Sequence, residues 1–237
     1  KEEFEEALPF YESLVEQELS SYTEKALVRI ITLLKKEALS KEALPYLENL
    51  YEIASFEGNK RFATLNLMQG YFAANKFEKS LLLSEEVLRF NRLEEGLKWD
   101  ALKFRARSAL KLNDTLTASS AYESLENSSQ KNIAAEALYF KAERLHSFKK
   151  YKDSNLIIER ISVSSGQLGD WNAKALLLLA KNYYELDDPF QASFVLESII
   201  ENFIAFPFII EEAESLLSTY RAATAKENRS INQNQND

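Results

Sequence analysis

Residues 175–200, ALLLLAKNYYELDDPFQASFVLESII, contain two apolar helical patterns joined by a short acidic turn. In the second pattern, Ala192 is followed by Leu196 four positions later and by Ile199 after three more. This spacing places the three residues on one face of a helix. A link of only a few residues makes two such helices antiparallel neighbours. The stretch therefore predicts a helical hairpin.

The same spacing occurs six times along the chain, at intervals of 36 to 38 residues: a small residue, a bulky or small residue four positions later, and an aliphatic residue after three more. The six small residues are Ala7, Ala43, Ser80, Ala118, Ser154 and Ala192. A nearly constant period in the mid-thirties, with helical spacing inside each unit, indicates an array of helical hairpins. The predicted fold is all-α, a superhelical solenoid of antiparallel hairpins.

The composition favours helices and narrows the function classes. Only 5 Gly and 4 Pro interrupt 237 residues, so turn and strand punctuation is sparse. A net charge of −8 argues against the broad basic surface that binds phosphate backbones. The absence of Cys removes disulfides and thiolate chemistry. We predict no cofactor, no nucleic-acid partner and, because no long apolar run occurs, no membrane span.

The period divides residues 1–226 into one predicted solenoid. It has a half repeat at 1–19, repeats at about 20–56, 57–93, 94–130, 131–167 and 168–206, and a capping helix at 207–226. Residues 227–237 are nearly free of apolar side chains and are predicted to form a disordered tail. Because the sequence begins within a second-helix pattern, we expect it to be a piece of a longer protein.

Glycine and proline suggest where helices begin and end. Gly58, Gly96, Gly166 and Gly169 fall in the links between units, where a glycine with positive φ commonly ends a helix. Pro9 and Pro45 each follow a small residue by two positions. Since proline is tolerated only near a helix start, both second helices are predicted to begin about one turn earlier.

The hairpins resemble the tetratricopeptide repeat (TPR) family, over nearly the whole chain up to about Arg221. The residues that carry the likeness are Ala175, Leu176, Leu179, Ala180, Tyr183 and Ala192 in the sixth unit, and Leu67, Tyr71, Phe77, Ser80 and Val87 in the third. Ile31 and Met68 depart from the family pattern, because the family usually has a small residue at these positions. The period is also longer than the family's typical value of about 34 residues.

The likeness is greatest to irregular bacterial cell-envelope members of the family, including lipoprotein parts of outer-membrane assembly or secretion machinery. The resemblance implies a noncatalytic interaction scaffold and favours the periplasm or cell envelope over the cytoplasm. It also implies that the first helices line a concave groove that binds a partner protein or peptide.

The predicted groove residues are Lys25, Arg29, Phe62, Asn66, Gln69, Phe72, Lys103, Arg107, Tyr139, Glu143, Lys181 and Tyr184. Their basic and aromatic character suits an acidic peptide with apolar anchors. The alternative interpretation is that the charges are ordinary solvated positions and that the aromatic rings pack between units. The carboxylate clamp of some family members is missing, because Val28 and Thr32 stand where it needs Lys and Asn.

Other candidate sites have simpler explanations. His146, the single histidine, could form half of a metal or proton-transfer site with Glu143, but such sites need more ligands. The acidic pairs Asp187-Asp188 and Glu94-Glu95 are interpreted as helix-end or solvated residues. Four aromatic residues near helix ends are interpreted as wedges between units; these are Tyr22, Trp99, Trp171 and Phe203. No catalytic motif or metal-spaced pair occurs, so we predict that the protein is not an enzyme.

Two further readings stay open. The chain could be a structural segment of a larger bacterial envelope assembly or secretion complex, acting by repeat stacking or by self-association through an exposed N-terminal helix. An RNA-binding helical repeat has a similar period, but the acidic balance and the absence of repeated polar readout pairs argue against it.

Overall fold

The computed structural model describes residues 2–16, 20–37, 41–163 and 170–234, with side chains for 7–16, 22–37, 41–161 and 170–226. The described residues form twelve α-helices and no strand. The helices are α1 Glu2–Glu16, α2 Ser20–Lys36, α3 Leu44–Ile53, α4 Glu57–Ala73, α5 Phe77–Leu88, α6 Glu95–Lys111, α7 Thr115–Leu125, α8 Lys131–Ser147, α9 Tyr151–Val163, α10 Asp170–Glu185, α11 Pro189–Asn202 and α12 Pro207–Asn234. Consecutive helices pack against each other in a helical-repeat arrangement, which confirms the predicted fold class.

The chain divides into two compact units, residues 1–121 (unit 1) and 122–237 (unit 2). The predicted single solenoid therefore stays a prediction. Six helices begin within two residues of a predicted start of a repeat or of the cap. These helices are α2, α4, α6, α8, α10 and α12, and the predicted starts are residues 20, 57, 94, 131, 168 and 207. α12 is longer than the predicted cap and extends to Asn234. No Gly or Pro follows the first residue of α12 to end the helix. Residues 227–234, which were predicted to belong to a disordered tail, are therefore helical.

Unit 1 has one apolar core shared by successive helices. Its fully buried side chains include Ile31 of α2, Leu50 of α3, Met68 of α4 and Val87 of α5. α4 contacts α5 and also α6, so that first helices are neighbours across the repeat boundary. The first helices α2, α4 and α6 are thus held on a common core.

Unit 2 repeats this plan. α8 contacts α9 and α10, while α10 contacts α11 and α12. One cluster joins Ala142, Ile158 and Leu178, and another joins Leu196 of α11 to Leu217 of α12. α12 covers the last hairpin with this apolar face and exposes its acidic residues, as a terminal cap does.

The small residue of each hairpin lies where its two helices approach most closely. Ala43, Ser80, Ala118, Ser154 and Ala192 are all fully buried. Ser80 Oγ donates a hydrogen bond to the carbonyl oxygen of Met68 at 2.9 Å, and Ser154 Oγ donates to that of Ala142 at 2.8 Å. A side chain that bonds to the backbone of the facing helix leaves no room for a larger residue. At Ser80 and Ser154, the two helices of the hairpin therefore approach closely.

The turns inside the hairpins share one backbone geometry. A residue with positive φ stands five positions before the small residue in four of them: Asn75 (58°), Asn113 (59°), Lys149 (58°) and Asp187 (64°). The next amide bonds back into the first helix, as in Lys76 N to Tyr71 O at 2.8 Å. This is the Schellman ending, in which the left-handed residue is usually glycine. An L-residue there costs about 1 kcal/mol or more relative to Gly.

The glycines of the links do not end helices, so that prediction is wrong for the described ones. Gly58 and Gly96 are the second residues of α4 and α6; Gly166 and Gly169 lie outside the described residues. α3 ends instead through Ala54 in an extended conformation (φ −59°, ψ 116°), which any residue adopts. The link between α5 and α6 does contain a residue with positive φ, but it is Arg92 (54°) and not a glycine.

The two prolines behave differently. Pro45 lies in the first turn of α3, as predicted. Pro9 lies inside α1, which begins at Glu2, so the predicted start of that helix is wrong. A proline removes one helical hydrogen bond, but the acidic residues ahead of Pro9 favour a helix N-terminus through the helix dipole.

A buried carboxylate fixes the link between the second and third repeats. Glu24 of α2 accepts hydrogen bonds from Ser55 N at 2.8 Å, Ser55 Oγ at 2.6 Å and Asn59 Nδ2 of α4 at 2.7 Å. Burial alone raises the pKa of Glu24, but these hydrogen bonds outweigh it and hold the pKa below its ordinary value. Glu24 therefore positions α2 relative to α4.

Three of the four aromatic residues predicted as wedges between repeats are packed inside unit 1 or unit 2. Trp99 is buried, and Phe203 packs against the core formed by α10, α11 and α12. Trp171 of α10 lies against Tyr139 of α8, with ring centroids 5.5 Å apart. Tyr22 is 59 % exposed, so the wedge prediction is wrong there. Its ring lies near the Lys25 ammonium and not in a packed layer.

Replacing Lys149 by glycine should raise the free energy of unfolding by about 1 kcal/mol, because glycine adopts the positive φ without strain. Urea denaturation measures the change. The control is Glu159→Gly, at an exposed position inside α9, which should lower stability by about 1 kcal/mol. Equal losses in both variants would contradict the assigned turn.

Enlarging Ser80 should separate α4 from α5. Ser80→Ala should cost about 1 kcal/mol through the lost hydrogen bond to Met68, and Ser80→Leu about 3 kcal/mol through overpacking. Thermal and urea unfolding measure both, with Leu82→Ala as a control within about 0.5 kcal/mol of the parent because Leu82 is 66 % exposed. A Ser80→Leu protein as stable as Ser80→Ala would rule out the tight approach.

Candidate interaction surface

The helices of unit 1 are segregated by charge. α2 and α6 each carry three more basic than acidic residues, and α4 carries one more. In contrast, α1 carries six more acidic than basic residues, and α3 and α5 carry two more each. The first helices of unit 1 are therefore basic, although the chain as a whole has a net charge of −8.

Part of the acidic charge on the second helices holds the unit together. Glu86 accepts a hydrogen bond from the Tyr51 hydroxyl at 2.7 Å, and Glu48 accepts one from the Tyr71 hydroxyl at 2.8 Å. The bond to Glu86, together with burial, raises the pKa of Tyr51 to about 12. These glutamates are occupied inside the unit, whereas the basic residues of α2 point to solvent.

Unit 1 brings together eight of the predicted groove residues on its three first helices. Lys25 and Arg29 of α2 and Gln69 of α4 are exposed, while Phe62, Asn66, Phe72, Lys103 and Arg107 are half-buried. α4 packs directly on α6, and the Lys35 ammonium of α2 donates a hydrogen bond to Asn66 Oδ1 of α4. The three helices therefore present neighbouring surfaces.

The two phenylalanines of this surface also have structural roles. Phe72 makes edge-to-face contacts with Phe77 of α5 and Phe104 of α6, each with centroids 5.4 Å apart. Phe62 packs against the core of unit 1. The alternative interpretation, that the aromatic rings pack between repeats, accounts for both. Lys103 likewise forms an ion pair with Asp100 on its own helix at 2.6 Å.

A cavity of about 150 Å³ opens between α2, α3 and α4. Its deepest lining residues are the buried Ala43 and Leu47, and the exposed Lys35 and Gln69 lie at its mouth. Gly70 also lines it, and a β-carbon there would come within 2.6 Å of Leu44 Cδ2. Gly70 was not predicted, although an isolated glycine inside a helical pattern is a recognised sign of close packing.

The four groove residues predicted in unit 2 make contacts within that unit. Tyr139 packs on Trp171 and donates a long hydrogen bond to Glu143 at 3.5 Å. Burial, with the nearby Glu143 carboxylate, raises the pKa of Tyr139.

The other two contact α12. Lys181 pairs with Glu212 at 2.8 Å, and the ring of Tyr184 stacks on that of Tyr220 with centroids 3.7 Å apart. α8 carries one more basic than acidic residue and α10 is balanced, so the first helices of unit 2 have a total basic excess of one, against seven for α2, α4 and α6 in unit 1.

His146 belongs to a buried polar network and does not pair with Glu143. The Asn182 amide nitrogen donates to Ser154 Oγ at 2.9 Å and to Asn155 Oδ1 at 2.7 Å. Its oxygen then accepts from the protonated Nδ1 of His146 at 2.6 Å. No sequence pattern predicted this role for Asn182, which stands between Lys181 and Tyr183 like a surface residue. Across the described residues, no group of three metal-ligating side chains converges.

Within the described ranges, the helices are either too short or too polar to cross a membrane. A scan with models of protein families finds no match to this chain. No curated protein matches it either. The geometry of the surface is therefore the basis on which a function can be proposed.

Proposed function

We propose that the chain is a noncatalytic interaction module, a TPR-like scaffold that binds a partner protein or peptide along its first helices. The single observation that carries the proposal is the charge segregation of unit 1. An acidic chain that collects basic residues on three adjacent helices has a local field that attracts an acidic partner.

The contacts of the groove residues support unit 1 as the binding surface. In unit 2, Lys181 and Tyr184 are already engaged with α12, and no basic excess accompanies them. In unit 1, Lys25, Arg29 and Gln69 are exposed beside an open cavity. The assignment to bacterial envelope TPR proteins, with a periplasmic or envelope location, is part of this proposal and rests on the sequence resemblance.

A second candidate is a structural segment of a larger bacterial envelope assembly or secretion complex, acting by self-association or repeat stacking. The observation that favours it is Phe10 of α1, which is 62 % exposed beside the half-buried Leu8 and Tyr11. An apolar patch at one end of a repeat array is the kind of surface that a further repeat or a second copy covers.

Site-specific photo-crosslinking separates the two candidates. The photoreactive residue benzoylphenylalanine is placed at one of three positions of the full chain, inside cells that make it. The positions are Gln69 on the surface formed by α2, α4 and α6, Leu82 on the outer face of α5, and Phe10 of α1. We expect Gln69 to crosslink to another protein and Leu82 not to do so. Lys25→Glu with Arg29→Glu should remove most of the Gln69 product, because the steering charge is reversed.

The matched control is Lys149→Glu with Lys152→Glu, which reverses two exposed charges in unit 2 and should leave the Gln69 product unchanged. Crosslinks only at Leu82 would contradict a binding role for the first helices. Self-crosslinks only at Phe10 would favour the structural segment instead.

A further inference from the structure

The chemistry of the bound segment can be inferred from unit 1. Resting on the proposed function, we propose that unit 1 binds an extended protein segment with one aliphatic side chain between two acidic clusters. The aliphatic side chain enters the cavity between α2, α3 and α4, and the acidic clusters meet α2 and α6.

The cavity has the size and lining for one aliphatic side chain. Its volume of about 150 Å³ is that of a single residue and much smaller than a typical small-molecule site of roughly 300 Å³ or more. The buried Ala43 and Leu47 give it an apolar interior, the exposed Ala73 lines its mouth, and no carboxylate lines it. Burial of an aliphatic group there removes apolar area from water without leaving a charge unpaired.

The charges flank the cavity on both sides. On α2, Lys25 and Arg29 are exposed, and on α6, Lys103 and Arg107 are half-buried. Between them, the charges of α4 lie only in its first turns, where Glu57 pairs with Arg61. At the cavity, α4 contributes the uncharged Asn66 and Gln69, and the one charge is the Lys35 ammonium of α2, which donates a hydrogen bond to Asn66.

The helix spacing sets the distance between the acidic clusters. Packed helices lie about 8–10 Å apart, so α2 and α6 are separated by roughly 16–20 Å across α4. An extended chain advances about 3.3 Å per residue, which corresponds to about five or six residues. Because the cavity opens between α2 and α4, the aliphatic residue should lie nearer to the cluster that meets α2.

A nucleic acid is the other polyanion that this basic surface could attract. The structure favours a protein segment, because the cavity is aliphatic and the aromatic rings Phe62 and Phe72 are engaged in packing. Binding of single strands relies on exposed aromatic rings on which bases stack.

The test uses the full chain and a labelled synthetic peptide of three Asp, one Ser, one Leu, three Ser and three Asp. It is made in both residue orders, and the tighter binder is the parent. Fluorescence anisotropy compares it with a peptide in which Ser replaces Leu, and with one of the same composition in which all six Asp are adjacent. We expect the parent to bind at least ten-fold more tightly than either.

A larger side chain in the lining of the cavity should remove only the part of the peptide's binding affinity that its leucine contributes. Ala73→Met is expected to weaken parent binding about ten-fold and to leave binding of the leucine-free peptide unchanged. Ala222→Met, at an exposed position of α12, is the matched control and should change neither. Lys25→Glu with Arg29→Glu should weaken both peptides, whereas Lys149→Glu with Lys152→Glu should weaken neither. Circular dichroism of each variant verifies that its helices are intact.

Equal affinity for all three peptides would overturn the inference, and so would tighter binding of a single-stranded oligouridylate of eleven nucleotides. If Gln69 still crosslinks to a protein in cells while the peptides are not discriminated, the proposed function stands and the inferred segment is wrong. If neither is observed, both are wrong.

Discussion

The close approach of two helices at one small residue is the constraint on which the rest of the structure depends. Ser80 and Ser154 show it directly, since each bonds to a carbonyl of the facing helix twelve positions earlier. Alanine stands at the equivalent positions of the other hairpins and cannot form that hydrogen bond. All these positions therefore share the need for a small side chain. Once the two helices are this close, the link between them must reverse within a few residues. The chain then adopts a positive φ at Asn75, Lys149 and Asp187 although none is glycine.

The first and second helices of the hairpins also have different roles. Second helices keep an outer face in solvent, as the exposed Leu82 and Phe194 show, and their glutamates accept hydrogen bonds from tyrosine hydroxyls, as Glu86 does from Tyr51. First helices keep one face in solvent, and in unit 1 this face collects basic residues. Both sets of helices therefore pack in the core, and the proposed binding role falls on the first helices of unit 1. Unit 2 has the same hairpins but a different surface, since Tyr184 and Lys181 are engaged by α12.

Helix positions could be predicted from the sequence because each hairpin repeats the same apolar period and small residue. Three features could not. The positive φ at Lys149 comes from tight hairpin packing and not from a local glycine preference. The role of Asn182 depends on three helices that meet only in the folded unit. The cavity beside Gly70 reflects the arrangement of α2, α3 and α4, which no periodicity contains. For the surface, residue types such as Lys25 and Arg29 were predicted, and the packing of Phe72 against Phe77 and Phe104 agrees with the alternative interpretation of the aromatic residues.

The most direct measurement of the central claim is disulfide formation across a hairpin whose small residue is alanine. The chain has no cysteine, so a pair placed at Ala180 and Ala192 reports only on the distance between α10 and α11. If the two helices approach as closely as in the serine hairpins, mild oxidation should join this pair and leave the helical content unchanged. A control pair at Ala180 and Phe194, which is exposed on the far side of α11, should stay reduced. A reduced 180–192 pair in the folded protein would contradict the account.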